Sequence, residues 1–267
     1  MSECKAMKEL GRSLASLAVF AISFAFVEAA IVEYLRFVWQ PIHAGLFPDV
    51  PADSIFPIIR PDQLEAEGPQ QLRLLYTELV REGATLLMLG AVALAVARNF
   101  RQWFAGFMIA FGIWDIFFYV FLKVLLDWPE SVETWDLLFL LPVPWVGPVW
   151  SPVLVSLTMI GSGTLVLARE AIDRPLSFQW MHVGGIGAGG LIVIIAFCWD
   201  CRNILAAGEP NSFHWPLFLA GLAVGLGSFL HVARSGNGPR RSQDDDLTDQ
   251  GSQGTGPPQS PRKRGEG

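Results

Sequence analysis

Five carboxylates, Glu28, Glu33, Glu78, Glu82 and Asp115, fall within or at the ends of stretches that are otherwise almost wholly apolar. An ionisable side chain at the centre of a membrane span costs roughly 2.5–3.5 kcal/mol to insert, so acids kept there usually face a bundle interior and serve a function. Glu78 and Glu82 share a helical face four residues apart, with Thr85 one turn further in, which offers an entering proton or cation a ladder of oxygen ligands. Asp115, Tyr119 and Lys123 repeat the four-residue spacing. Glu28, Glu82 and Asp115 come out at similar depth on three successive helices, so the sequence predicts that they share one cavity reached from the outer side. Arg36, Arg81 and Lys123 supply three bases to offset the five acids. The same residues can therefore be read as a proton or small-cation site, as the acids of a membrane-embedded enzyme, or as a structural ion-pair network in an assembly subunit. The reading leans away from an enzyme, and no Glu-x-x-His pair completes a di-iron pattern.

Other chemistry-bearing residues are weaker candidates. Cys198 and Cys201 form a C-x-x-C around Trp199 and Asp200 at the outer end of a helix. A helix C-terminus beside an acid raises a thiol's pKa, so a structural disulfide or inert thiols fit better than redox catalysis. His182 and His231 come at comparable depth near the inner ends of two helices and could ligate a haem, although interfacial histidines are more often simply hydrogen-bonded. His43 and His214 have no obvious partner. Gly185, Gly187 and Gly190 match G-x-G-x-x-G, but no strand precedes them, so packing is the better explanation. Gly185 and Gly189 on one helix and Gly221 and Gly225 on the next are small-x-x-x-small pairs that let two helices approach closely. No cofactor is firmly implied.

The elements that must position these residues emerge from composition. The 267 residues are 52% hydrophobic and only 16% charged, with a mean hydropathy of +0.40, which takes the chain outside ordinary soluble domains. The net charge of −6 and the uneven placement of Lys and Arg leave no case for nucleic acid as a partner. Apolar runs long enough to cross a bilayer predict an all-α fold, a polytopic transmembrane helical bundle of about six spans. The spans are expected at about 13–38, 74–97, 103–126, 149–168, 178–199 and 214–233, forming one domain over 1–234. Pro142, Pro144, Pro148 and Pro152 break the apolar run before the fourth span, so Trp135–Pro148 should be an interfacial or re-entrant segment that caps the acidic cavity in part. Residues 235–267 are Gly, Pro, Ser, Gln and charge, and read as a disordered tail.

Orientation is set by the basic residues. Lys5, Lys8 and Arg12, then Arg98 and Arg101, then Arg169 and Arg174, then Arg234, Arg240 and Arg241 all fall on one side. The positive-inside rule makes that side cytoplasmic and predicts a multi-pass protein of the inner (cytoplasmic) membrane with both termini inside. The run from Ser13 continues past Glu28 without a small-x-small cleavage site, so the first span should be uncleaved. The lipid bilayer is the expected partner, and a homo-oligomer or larger membrane complex stays open.

The segments FGIWDIFFYVFLKVLLDWPES, TWDLLFLLPVPWVGPV and, upstream, LYTELVREGATLLML resemble an uncharacterised family of bacterial multi-spanning membrane proteins over roughly residues 28–156. The resemblance covers the segments that carry the acids. It implies the membrane class and no activity.

Overall fold

The computed structural model describes residues 3–51 and 54–235. The tail expected over 235–267 lies outside the described residues except for Ser235, which ends the last helix. Among the described residues, six helices are long and apolar enough to cross a membrane. The chain is an all-α, multi-pass membrane protein.

Helix α1 (Glu3–Leu46) has 44 residues, about 66 Å at 1.5 Å per residue. The apolar core of a bilayer is only about 30 Å thick, so α1 outruns the span expected over 13–38 at both ends. Its buried residues Leu17, Ala21, Phe24, Ala25, Glu28 and Ala29 recur every three or four positions and form one inward stripe. A short helix α2 (Pro61–Glu67), begun by proline at its first position, leads into α3 (Pro69–Val96). Helix α4 (Phe100–Leu126) starts at Asn99, whose side chain accepts from the Gln102 N–H at 2.9 Å, and stops at Asp127 in the left-handed conformation.

The proline-rich segment, expected as an interfacial or re-entrant element, has regular structure of its own. It folds as an antiparallel hairpin, β1 (Trp135–Phe139) against β2 (Trp145–Pro148), with Trp135 opposite Pro148 and an irregularity between Leu137 and Phe139. Proline has no N–H to give a ladder, and here Pro142 and Pro144 fall between the strands while Pro148 ends the second. The prolines thus shape the turn rather than dissolve the segment. Helices α5 (Trp150–Ala171), α6 (Trp180–Phe197), α7 (Cys201–Leu205) and α8 (Trp215–Ser235) complete the described chain.

Packing divides these helices into two groups. Helix α4 lies between α1 and α5 and also carries α3, while α1 and α3 touch each other little. Helix α6 packs along α8. A Cβ on Gly189 of α6 would overlap the backbone of Gly225 on α8, and one on Gly221 would lie 2.9 Å from the Gly189 carbonyl. The expected glycine-mediated pair is therefore present. A second close approach joins α4 to α5, where a Cβ on Gly112 would lie 2.7 Å from the Ser156 carbonyl and one on Gly163 equally near that of Ala105. The hairpin, the loop around Phe56 and helix α7 meet through Val146, Phe56 and Ile204, which close the end of the bundle opposite Glu3 and Ser235.

Candidate functional site

The site begins with Glu28, whose side chain is almost fully buried on α1. Its carboxylate accepts from the Thr85 hydroxyl at 3.0 Å and pairs with Arg81, both on α3. Arg81 also grips Glu78 on its own helix through two hydrogen bonds, one of them Nε to Oε2 at 2.8 Å. One guanidinium thus bridges two carboxylates and ties α3 to α1, a job its planar fork of donors suits better than a lysine would.

Glu82, one turn from Glu78, points to a different partner. Its two oxygens accept from the backbone N–H groups of Leu140 and Leu141, at 2.7 and 3.0 Å, just past the end of β1. These donors lie outside the hairpin ladder, so the acid both holds the hairpin in place and satisfies backbone groups that would otherwise be unpaired. Asp136, the second residue of β1, is buried and accepts from the Tyr119 hydroxyl and from the Leu137 N–H, each at 2.8 Å. Burial pushes its carboxyl above the usual range, against the opposing pull of those two hydrogen bonds and of the Arg36 charge. The Arg36 guanidinium lies 4.9 Å above the Trp128 ring, within cation–π range.

Between α1, α3 and α4, beneath the hairpin and the loop through Ile55 and Ile58, lies a partly open cavity of about 570 Å³. Glu28, Glu33, Glu78, Glu82 and Asp136 line it, with Arg36, Arg81 and Thr85. The remaining wall is mostly aliphatic and aromatic, including Trp39, Trp114, Phe118 and Leu122. Trp114 is 7% exposed, yet its indole N–H has no acceptor among the described residues, and the indole N–H of Trp39 is in the same position.

Two expectations about the site need correction. Asp115 does not line the cavity with Glu28 and Glu82. It is buried toward α5 and accepts from the Ser156 hydroxyl at 2.8 Å. Residues Trp114, Phe118, Leu122 and Leu126 form the cavity stripe of α4, and Asp115 and Tyr119 belong to the next stripe, turned about 100° away. The acid that takes its place is Asp136, delivered by the hairpin. Lys123 is also no counter-charge for the site. It pairs with Asp127 at 2.8 Å and donates to the carbonyls of Asp127 and Pro129, both at 3.1 Å, where it closes the C-terminal end of α4.

His182 and His231, the disfavoured haem candidates, lie side by side. Their rings are 5.2 Å apart in tilted contact. His182 is held by its Nδ1, which accepts from the Gln179 N–H at 3.3 Å. Cys198 and Cys201, the candidates for a structural disulfide or inert thiols, are unbridged in this structure. Trp199 and Asp200 between them line a smaller cavity of about 160 Å³, and Asp200 is engaged by Asn203 and twice by Asn211. Of the two remaining histidines, His43 is buried with Nε2 2.9 Å from the Pro57 carbonyl, which pins the loop over the cavity, and His214 lies against Trp199. No group of three or more His, Cys, Asp or Glu able to hold a metal ion occurs among the described residues.

Asp136 can be read from the sequence only as a loop acid, because nothing local announces that a hairpin will carry it inward. Ser156 leaves no signal at all, since a serine in an apolar helix ordinarily bonds its own backbone. No family model matches the chain, and neither a curated protein nor a solved structure matches it.

Proposed function

We propose that this membrane protein binds, and through binding can translocate, a cation that enters the acidic cavity from the side opposite Glu3 and Ser235. With both termini in the cytoplasm of a bacterial inner membrane, as the basic loops and the resemblance to a bacterial membrane family suggest, that side is the outer one. One observation carries the reading: five acids and only two arginines line a single cavity. A purely structural network would match each acid with a base. Glu82 and Asp136 accept their hydrogen bonds from neutral donors, backbone N–H groups and a tyrosine hydroxyl, and share the charges of Arg81 and Arg36 with the other three acids.

The test is a titration of the protein in lipid nanodiscs, read by tryptophan fluorescence, because Trp39, Trp114 and Trp128 line the cavity. Cations, among them sodium, calcium, tetramethylammonium and a 1-aminoalkane, should include at least one that gives a saturable change. Glu33→Gln, which removes a charge without breaking any of the hydrogen bonds above, should weaken it about tenfold. Absence of any saturable response, or an unchanged response in Glu33→Gln, would overturn the reading.

A further inference from the structure

We infer that the cation is an amphiphile, a long-chain amine whose head also carries an oxygen able to accept a hydrogen bond. This rests on the cation reading above and goes further by naming the chemical class. The cavity's volume is the first ground. About 570 Å³ would take on the order of twenty water molecules at liquid density, far more than a bare metal ion or a proton needs, and it falls in the range of sites for small organic molecules. A metal ion would also want several converging oxygens at about 2.3–2.6 Å. Among the described residues the acids do not gather in that way.

The lining is the second ground. Most of the wall is apolar, and apolar wall gains by covering itself with hydrocarbon rather than with water. A ligand that puts a positive charge against Glu28, Glu33 or Asp136 while filling the rest with methylenes satisfies both parts of one chamber. Phe37 lines the cavity and is 82% exposed, which puts it at the rim, so a hydrocarbon chain can reach the cavity sideways from the apolar layer.

The third ground is a donor. Trp114 is buried, it lines the cavity, and its N–H lacks an acceptor among the described residues. A buried donor without a partner is costly, and an ammonium group cannot accept from it. A hydroxyl, ether or carbonyl oxygen beside the amine can.

The experiment compares three homologous probe series, 1-aminoalkanes, 1-amino-2-alkanols and 1-alkanols from four to ten carbons. Each is titrated into the protein in nanodiscs of phosphatidylglycerol, with empty nanodiscs subtracted. Affinity for the two amine series should rise about three- to fourfold per methylene until the cavity is full. The amino-alcohols should bind several-fold tighter than the plain amines, and Trp114→Phe should erase that preference while keeping the dependence on length. Glu33→Gln, remote from the packed core, should weaken both amine series and leave the alcohols unchanged.

Charge-dependent binding with no effect of chain length would overturn the amphiphile and leave the cation reading standing. Alkanols binding as tightly as amines would overturn both. Equal affinity for amines and amino-alcohols in the unaltered protein would remove the oxygen from the inference. Repeating the titration in nanodiscs containing phosphatidylethanolamine assigns the source of the head group. Weaker probe binding there means that a membrane amine lipid fills the cavity, and unchanged binding means an amphiphile supplied from solution.

Discussion

Helices α6 and α8 meet at glycines with their backbones in close approach, whereas α1, α3 and α4 meet through charged and aromatic side chains and enclose a cavity. Both groups face the same problem, because in a bilayer apolar burial does little to drive helices together. The first solves it by close van der Waals contact between backbones. The second uses Arg81, whose long side chain spans from α3 to Glu28 on α1 and keeps the two helices tied but apart. Close packing gives rigidity and no room for chemistry. A charged tether gives room, at the cost of burying ions that depend on one another.

Cutting the tether should have the largest effect. Arg81→Met would leave Glu28, almost fully buried, and Glu78 without their base, and removing one partner of a buried pair typically costs about 3–5 kcal/mol. The expected outcome is a large loss of stability in denaturant titrations in detergent. The double variant Glu28→Gln with Arg81→Met should recover part of it, because no uncompensated ion then remains at that position. If the single variant melts like the unaltered protein, the tether is not what joins α3 to α1.

Glu82→Ala tests the hairpin in the same region. It removes the acceptor of two backbone N–H groups, and a hydrogen bond to a charged group is worth about 1.5–3 kcal/mol. The segment around Leu140 and Leu141 should become open to protease or to hydrogen exchange while the helices stay protected. On the glycine side, Gly189→Ala should cost about 1–3 kcal/mol, because its new methyl group would overlap the Gly225 backbone. Gly225→Ala should cost far less, since its Cβ would meet nothing nearer than 3.7 Å. Equal melting temperatures for these two variants would contradict the packing described for α6 and α8.

The six spans are legible in the sequence because an apolar run of about twenty residues has few other fates. The glycine pair is legible for a related reason, since small residues at four-residue spacing mark one face of one helix. The cavity is only half legible. Hydropathy gives depth along a helix, which correctly puts Glu28 and Glu82 near one level, but it says little about direction around the axis. Depth alone assigns Asp115 to the cavity, yet α4 has occupied neighbours on both sides, and its acid turns to Ser156 on α5. Lys123 misleads similarly, because a base at the last turn of a helix has the helix's own end as its nearest partner. Proline signals a break in a helix without specifying the structure beyond the break, so the hairpin is hidden from the sequence, and Asp136 with it.

The smallest expected effect concerns pH and the fifth acid of the cavity. Burial holds the Asp136 carboxyl above the usual carboxylate range, while Tyr119, the Leu137 N–H and Arg36 pull it back. As pH falls, Asp136 therefore takes up a proton while exposed acids, with pKa values near 4, remain ionised. The cavity then loses the negative charge of Asp136, and cation affinity should drop a few-fold in that window. Stability should move the other way. The folded chain binds this proton at a higher pH than the unfolded chain does, so lowering pH through the raised value favours the folded state, and that contribution fades as pH rises. Weaker binding together with an unchanged or higher melting temperature would thus distinguish titration of the site from the onset of acid unfolding. Asp136→Asn, which keeps an acceptor for Tyr119, should bind the cation weakly at neutral pH and show no further loss in the same window. If the variant keeps the pH dependence of the unaltered protein, another acid of the cavity is responsible, and the charged region owes its response to α1 or α3 rather than to the hairpin that covers them.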